Sequence, residues 1–145
     1  MTDKDQSCTI LVVDDEREVL DLVRMVLEMD GHTVLAAEDG EQALARTGAI
    51  LPDLILLDVR LPKMSGLTVL KHLHEDPLTT DIPVIMLSVV TTHPEVQTAL
   101  QRGAVAYLPK PFEIREMSRL VDRVLRMDAT ERELLRKHAI NSMGR

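Results

Sequence analysis

The stretch TILVVDDE at residues 9–16, together with LILLDVR at residues 54–60, decides the fold, because each is a short apolar run that ends in acidic residues. The runs do not alternate between polar and apolar residues, which is typical of parallel strands that helices cover on both faces. Three further short apolar runs complete a set of five. The predicted strands are residues 9–13, 33–37, 54–57, 84–87 and 106–108.

Amphipathic segments separate these runs and predict a helix after each strand. The clearest helix carries its apolar residues at helical spacing and should end at Gly31. The other predicted helices are residues 41–46, residues 66–74 behind the N-cap Ser65, residues 94–102 before Gly103, and a segment after Phe112. The alternation of strands and helices predicts an α/β fold: a doubly wound, five-stranded parallel sheet of order 2-1-3-4-5.

Length and composition narrow the class of protein. A chain of 145 residues that is 45% hydrophobic has room for one domain with its own core. The net charge of -7 argues against direct binding of nucleic acid, and no apolar run is long enough to insert into a membrane. A single cysteine, Cys8, excludes an internal disulfide framework, so we expect a cytoplasmic protein. The eight methionines are predicted to fill gaps in an aliphatic core.

The last residues add a charged segment to this domain. We assign residues 9–127 to the domain and residues 128–145 to a C-terminal helical extension or linker. Thr130 and Glu133 match the capping-box pattern and predict the start of a sixth helix there. The segment is too short for a DNA-binding output domain, so we expect a stand-alone regulator, with a fragment of a longer regulator as the alternative.

Polar side chains follow the predicted strands where each strand ends. Asp14 and Asp15 follow the first strand, Asp58 the third, Ser88 the fourth and Lys110 the fifth. Each of these residues alone is commonly a turn-former, a helix cap or a solvated charge. The carboxyl ends of parallel strands meet at one edge of the sheet, however, so we expect the five side chains to converge.

The predicted cluster has a chemistry of its own. Crowded carboxylates raise each other's pKa unless a cation neutralises them, and Mg²⁺ suits a site with few carboxylates and several waters. Lys110 and Ser88 can then bind the oxygens of a phosphoryl group, and Asp58 can act as the nucleophile that accepts it. No glycine-rich loop follows the first strand, so nucleotide and flavin sites are not predicted.

Four motifs at these positions resemble the receiver domain of two-component response regulators, of the chemotaxis-regulator type with a flavodoxin-like fold. They are VVDDE at residues 12–16, LLDVRLPKMSG at residues 56–66, Ser88 after VIML, and YLPKPF at residues 107–112. The resemblance implies that Asp58 is the phosphoacceptor and that Ser88 and Lys110 assist. It also implies that Asp15, Asp58 and the main-chain carbonyl of Arg60 hold Mg²⁺, while Asp14 acts mainly through a metal-bound water.

The resemblance further implies how such a domain signals. Ser88 and Tyr107 would form a switch pair, and Lys110-Pro111 would be a cis peptide. The partners would be a sensor histidine kinase or histidine phosphotransfer protein and a downstream target protein. The surface made by the fourth helix, fifth strand and fifth helix is the expected output face, and a dimer through it is a further expectation.

Two alternatives stay open at the level of sequence. One is a magnesium-dependent phosphohydrolase with an aspartyl-phosphate intermediate on Asp58, rather than a phosphoacceptor that does not turn over substrate. The other is a pseudo-receiver that serves only as a scaffold, although all five site positions are filled. Arg60 and Val90 are expected to flank the path of hydrolytic water, and we predict that they lengthen the life of the phosphoryl group.

Overall fold

The computed structural model describes residues 7–89 and 93–143, apart from the side chains of His93 and Met143. The strands are β1 (Thr9–Val13), β2 (Thr33–Ala37), β3 (Leu54–Asp58), β4 (Val84–Ser88) and β5 (Ala106–Pro109). The helices are α1 (Arg17–Met29), α2 (Gly40–Ile50), α3 (Gly66–Glu75), α4 (His93–Gln101), α5 (Ile114–Arg126) and α6 (Ala129–Met143). None of the helices in these ranges combines the length and apolar character needed to cross a membrane.

The five strands form one parallel sheet in the order β2-β1-β3-β4-β5, which confirms the predicted topology. The register aligns the carboxyl ends of the strands: Val13 lies opposite Leu57, and Asp58 lies opposite Leu87. β3 is the central strand. Its last residue, Asp58, therefore emerges in the middle of the sheet edge.

The sheet is buried on both faces, which explains why its strands are continuously apolar. In β1, Ile10 and Val12 belong to one core cluster, whereas Leu11 and Val13 belong to the other. Buried residues of α1 and α5 complete the first cluster, and buried residues of α2, α3 and α4 complete the second. Both clusters are aliphatic and hold the strand ends in place.

Most helix boundaries lie where the sequence predicts them. Gly31 and Gly103 follow α1 and α4 with φ angles of 97° and 108°, and the Ser65 hydroxyl accepts a hydrogen bond from the backbone N–H of Leu67 at the start of α3. The predicted capping box of α6 is wrong. Asp128 and Glu131 form it instead, each accepting from the other's backbone N–H at 2.8 and 3.0 Å.

The loop after Asp58 depends on a glycine at the start of α3. A Cβ atom on Gly66 would lie 2.0 Å from the main-chain oxygen of Asp58, and the N–H of Gly66 donates to the Val59 carbonyl at 2.8 Å. A side chain at this position therefore requires the backbone that carries Asp58 to move.

Gly66→Ala is expected to lower the free energy of unfolding by about 1–3 kcal/mol, the usual cost of overpacking. The matched control is Gly48→Ala in α2, where an added Cβ meets nothing within 4 Å. That variant should be more stable by about 0.5–1 kcal/mol, because alanine is the better helix former. Urea denaturation measures both values, and a neutral Gly66→Ala would contradict the close approach.

Candidate functional site

Three polar residues are buried at the carboxyl edge of the sheet. Asp14 and Ser88 are fully buried and Asp58 is 3% exposed. Each follows or ends an apolar strand, so the core fixes its backbone while the side chain faces the loops. Buried carboxylates of this kind require a partner of opposite charge.

The ammonium group of Lys110 is that partner. Its Nζ lies 2.5 Å from Asp14 Oδ2 and 2.8 Å from Asp58 Oδ2, and the Lys110 side chain is only 7% exposed. A third carboxylate, on Glu16, accepts from the same Nζ at 3.1 Å. The backbone N–H of Lys110 donates to the Ser88 carbonyl, and Lys110-Pro111 is cis, as the resemblance implies.

Short turns orient both buried carboxylates. Asp14 Oδ1 accepts from the backbone N–H of Glu16, and Asp58 Oδ1 accepts from that of Arg60, both at 2.9 Å. Each carboxylate thus uses one oxygen to hold its own loop and the other to hold Lys110. The arrangement fixes the position of Asp58 before any ligand binds.

The electrostatics of the cluster follow from its burial. Burial raises the pKa of Asp14, and the nearby Asp58 carboxylate adds to this, although hydrogen bonds from Lys110 and Glu16 oppose it. Burial alone would lower the pKa of Lys110, but its hydrogen bonds and charge interactions with Asp14 and Asp58 raise it above its ordinary value. Lys110 is therefore a permanent cation at neutral pH.

The carboxylates that surround Lys110 also form a group that could hold a metal ion. Ligand atoms of Asp14, Glu16 and Asp58 lie within 4.8 Å of one another, so these residues can hold a cation. Asp15 is exposed and lies outside this group in the described structure. The sequence motifs predicted no role for Glu16. The sign of its role is the turn in which the Glu16 N–H donates to Asp14 Oδ1, because this turn brings the Glu16 side chain back to the site.

The residues predicted to act as a switch lie beside the cluster. Burial is the main cause that raises the pKa of Tyr107, and the nearby Ser88 side chain opposes this shift. Arg60 Nη2 lies 3.9 Å from Glu95 Oε1 at the start of α4, and the Arg60 side chain is 66% exposed. Val90, the other residue predicted to affect hydrolysis, lies outside the described residues.

The chain matches a known protein family. The family model of the response regulator receiver domain matches residues 10–122. Among curated relatives, the DNA-binding dual master transcriptional regulator RpaA of Synechocystis sp. is 42% identical over 117 residues, and the transcriptional regulatory protein CpxR of Klebsiella pneumoniae is 44% identical over 117 residues. The matches cover 81% of this chain and 48% and 49% of those proteins, so the chain spans about half the length of the curated relatives.

Solved structures agree with this match. The chemotaxis response regulator CheY4 of Vibrio cholerae has a TM-score of 0.77 and 30% identity, with 81% of this chain and 98% of that chain covered. A CheY-like response regulator receiver domain protein of Methanospirillum hungatei has a TM-score of 0.79 and 29% identity, with coverage of 88% and 97%. Both chains are nearly fully spanned by the present one.

The raised pKa of Asp14 predicts how stability depends on pH. The folded protein binds the Asp14 proton more tightly than the unfolded chain does, so this contribution to stability is complete below the ordinary aspartate pKa of about 4 and is lost as pH rises through the raised value. Asp14→Asn should therefore gain stability relative to the parent as pH rises from about 4 to 7.

Urea denaturation in the presence of a chelator measures this difference without interference from metal ions. Gly48→Ala changes no titratable group, so its difference from the parent should not vary with pH. A difference for Asp14→Asn that shrinks or stays constant from acid to neutral pH would contradict the predicted cost of ionising Asp14.

Proposed function

Because the chain belongs to the family of response regulator receiver domains, we propose that it is a signalling switch in which Asp58 accepts a phosphoryl group. The observation that carries this proposal is the buried Asp58 carboxylate at the end of the central strand, 2.8 Å from the ammonium of Lys110. The donor is a sensor histidine kinase or a histidine phosphotransfer protein. The domain is an acceptor and does not turn over substrate.

The transfer forms one bond and breaks another. A carboxylate oxygen of Asp58 attacks phosphorus, the bond from phosphorus to the donor's imidazole nitrogen breaks, and the electron pair of that bond stays on the imidazole. Lys110 remains protonated and, with the Ser88 hydroxyl, binds phosphoryl oxygens. Since turns already hold Asp58, little reorganisation of the acceptor is needed.

Magnesium is the proposed cofactor, because the site offers the hard oxygen ligands that this ion prefers. Asp58, Asp15 and the Arg60 carbonyl would hold it, with Asp14 acting through water and Asp15 turning inward from its exposed position. Glu16 is the rival ligand. When bound, the ion neutralises charge on the acceptor carboxylate and the phosphoryl oxygens.

The response to phosphorylation is proposed to pass through Ser88 and Tyr107. The Ser88 hydroxyl turns to the new phosphoryl group, and the nearby Tyr107 ring then moves inward. These residues lie on β4 and β5, beside α4, so the change reaches the output surface of α4, β5 and α5. A downstream target protein, or a second copy of the chain, binds there.

Direct contact of this domain with nucleic acid is not proposed, because its net charge of -7 repels phosphate backbones. Cys8 is the single cysteine of the sequence, so no disulfide can form within the chain; this fits a reducing compartment, and we propose a cytoplasmic location.

Asp58→Asn should abolish the mass increase of one phosphoryl group that a small donor such as acetyl phosphate produces with Mg²⁺, because the amide is not a nucleophile. The matched control is Asp81→Asn in the loop before β4, which should be phosphorylated like the parent. Intact-mass spectrometry measures both. Full phosphorylation of Asp58→Asn would refute the assignment, and continuous release of phosphate at enzymatic rates would favour a phosphohydrolase.

Asp15→Asn should weaken Mg²⁺ binding roughly tenfold or more, since a lost ligand should cost at least as much as a lost outer-shell partner. Glu16→Gln is the matched test of the rival ligand and should weaken Mg²⁺ binding much less than Asp15→Asn does. NMR titration of the backbone amides at residues 14–16 and 58–60 measures both. The reverse order of affinities would assign the ligand to Glu16.

A further inference from the structure

The sixth helix lies on the surface where a partner is expected. β5 is an edge strand of the sheet, paired with β4 alone, and α6 packs against β5 and α4. An open sheet edge invites pairing with another chain, and covering it with a helix is one way to prevent this. Part of the proposed output surface is therefore already occupied by the chain itself.

Two arginines on one side of α6 fasten it to the ends of two other helices. Arg132 Nε donates to the Val124 carbonyl in the last turn of α5 at 3.1 Å, and Arg136 Nη1 donates to the Leu100 carbonyl in the last turn of α4 at 2.8 Å. Residues four apart share a helix face, so one face of α6 contacts both helices. Each carbonyl also accepts a backbone N–H, from Met127 at 3.2 Å and from Gly103 at 3.1 Å, so each arginine adds a second hydrogen bond to the last turn of its helix.

Apart from the two arginines, α6 buries little apolar surface against the domain. Between the arginines, Leu135 packs on the core cluster that contains Val105 and Leu108. None of the α6 side chains that the structure describes is fully buried, and Leu134 on its outer side is 62% exposed. A cleft of about 280 Å³, lined largely by polar residues, remains beneath the first turns of α6. An element with so little buried apolar surface is among the first to detach from a fold.

From these contacts we infer that α6 is an internal occupant of the α4–β5 surface, held there in the unphosphorylated protein and released when Asp58 is phosphorylated. The inference rests on the proposed function, because release requires the change at Ser88 and Tyr107 to reach α4 and β5. Both elements carry contacts of α6. A shift of α4 moves the Leu100 carbonyl away from Arg136, whereas the Val124 carbonyl stays with α5.

Release couples phosphorylation to partner binding. A partner that needs the α4–β5 surface competes with α6 and therefore binds the phosphorylated protein more tightly. By reciprocity, such a partner favours the phosphorylated form to the same extent. In this scheme the strength of α6 binding sets how much phosphorylation is needed before a partner binds.

Hydrogen exchange by mass spectrometry on the full chain tests the inference, with acetyl phosphate and Mg²⁺ present and intact mass recorded on the same sample. Phosphorylated protein should exchange the amides of α6 at least roughly tenfold faster, because release breaks at a minimum the charge-assisted hydrogen bond of Arg136. Asp58→Asn under the same conditions should show no such change. Unchanged or slower exchange in α6 at full phosphorylation would overturn the inference and leave the proposed function intact.

A second variant tests how α6 is fastened, without any phosphoryl donor. Arg136→Gln removes the bond to α4 and should speed exchange across α6 roughly tenfold in the unphosphorylated protein. The matched control is Lys137→Gln, which removes a positive charge from the exposed side of α6. Equal protection of α6 in Arg136→Gln and Lys137→Gln would overturn the role of Arg136. Absence of phosphoryl mass in the parent would instead overturn the proposed function.

Discussion

The charge balance around Lys110 is the constraint on which the rest of the site depends. One ammonium, 7% exposed, lies between the buried carboxylates of Asp14 and Asp58 and is approached by Glu16. Removing the ammonium would leave two like charges buried without a partner, which costs several kcal/mol. The proposed phosphoryl group on Asp58 would add negative charge at the same place. The cation that stabilises the resting site would then also stabilise the phosphorylated state.

The parallel sheet is what brings this charge cluster together. Lys110 follows β5, Asp14 follows β1 and Asp58 ends β3, so residues far apart in the chain meet only because the strands are in register. Two aliphatic clusters hold that register from opposite faces of the sheet. Burial of Asp14 beside Asp58 raises the pKa of Asp14, so keeping Asp14 ionised there lowers the stability of the fold. The fold thus gives up some stability to keep these carboxylates together.

Sequence patterns predict the parts of this structure that depend on local chemistry. The apolar runs predict the buried strands. Asp14, Asp58 and Lys110, at the ends of these strands, lie together as expected. Two of the methionines predicted to fill the core, Met25 and Met29, are instead exposed on α1. Glu16 was missed as well, because its place depends on a turn rather than on periodicity.

The sequence also does not predict how α6 packs on the domain. This packing matters because it holds one end of α4. Among the described residues, Glu95 ties the first turn of α4 to Arg60, and Arg136 ties its last turn to α6. The Arg60–Glu95 pair is 3.9 Å long and its Arg60 side chain is 66% exposed, so the pair is worth less than about 1 kcal/mol. A hydrogen bond from a charged group to a half-buried carbonyl contributes more, about 1.5–3 kcal/mol. The contact with α6 therefore holds α4 more firmly than the contact with the acceptor loop, although Arg–carbonyl bonds leave no periodic trace in the sequence.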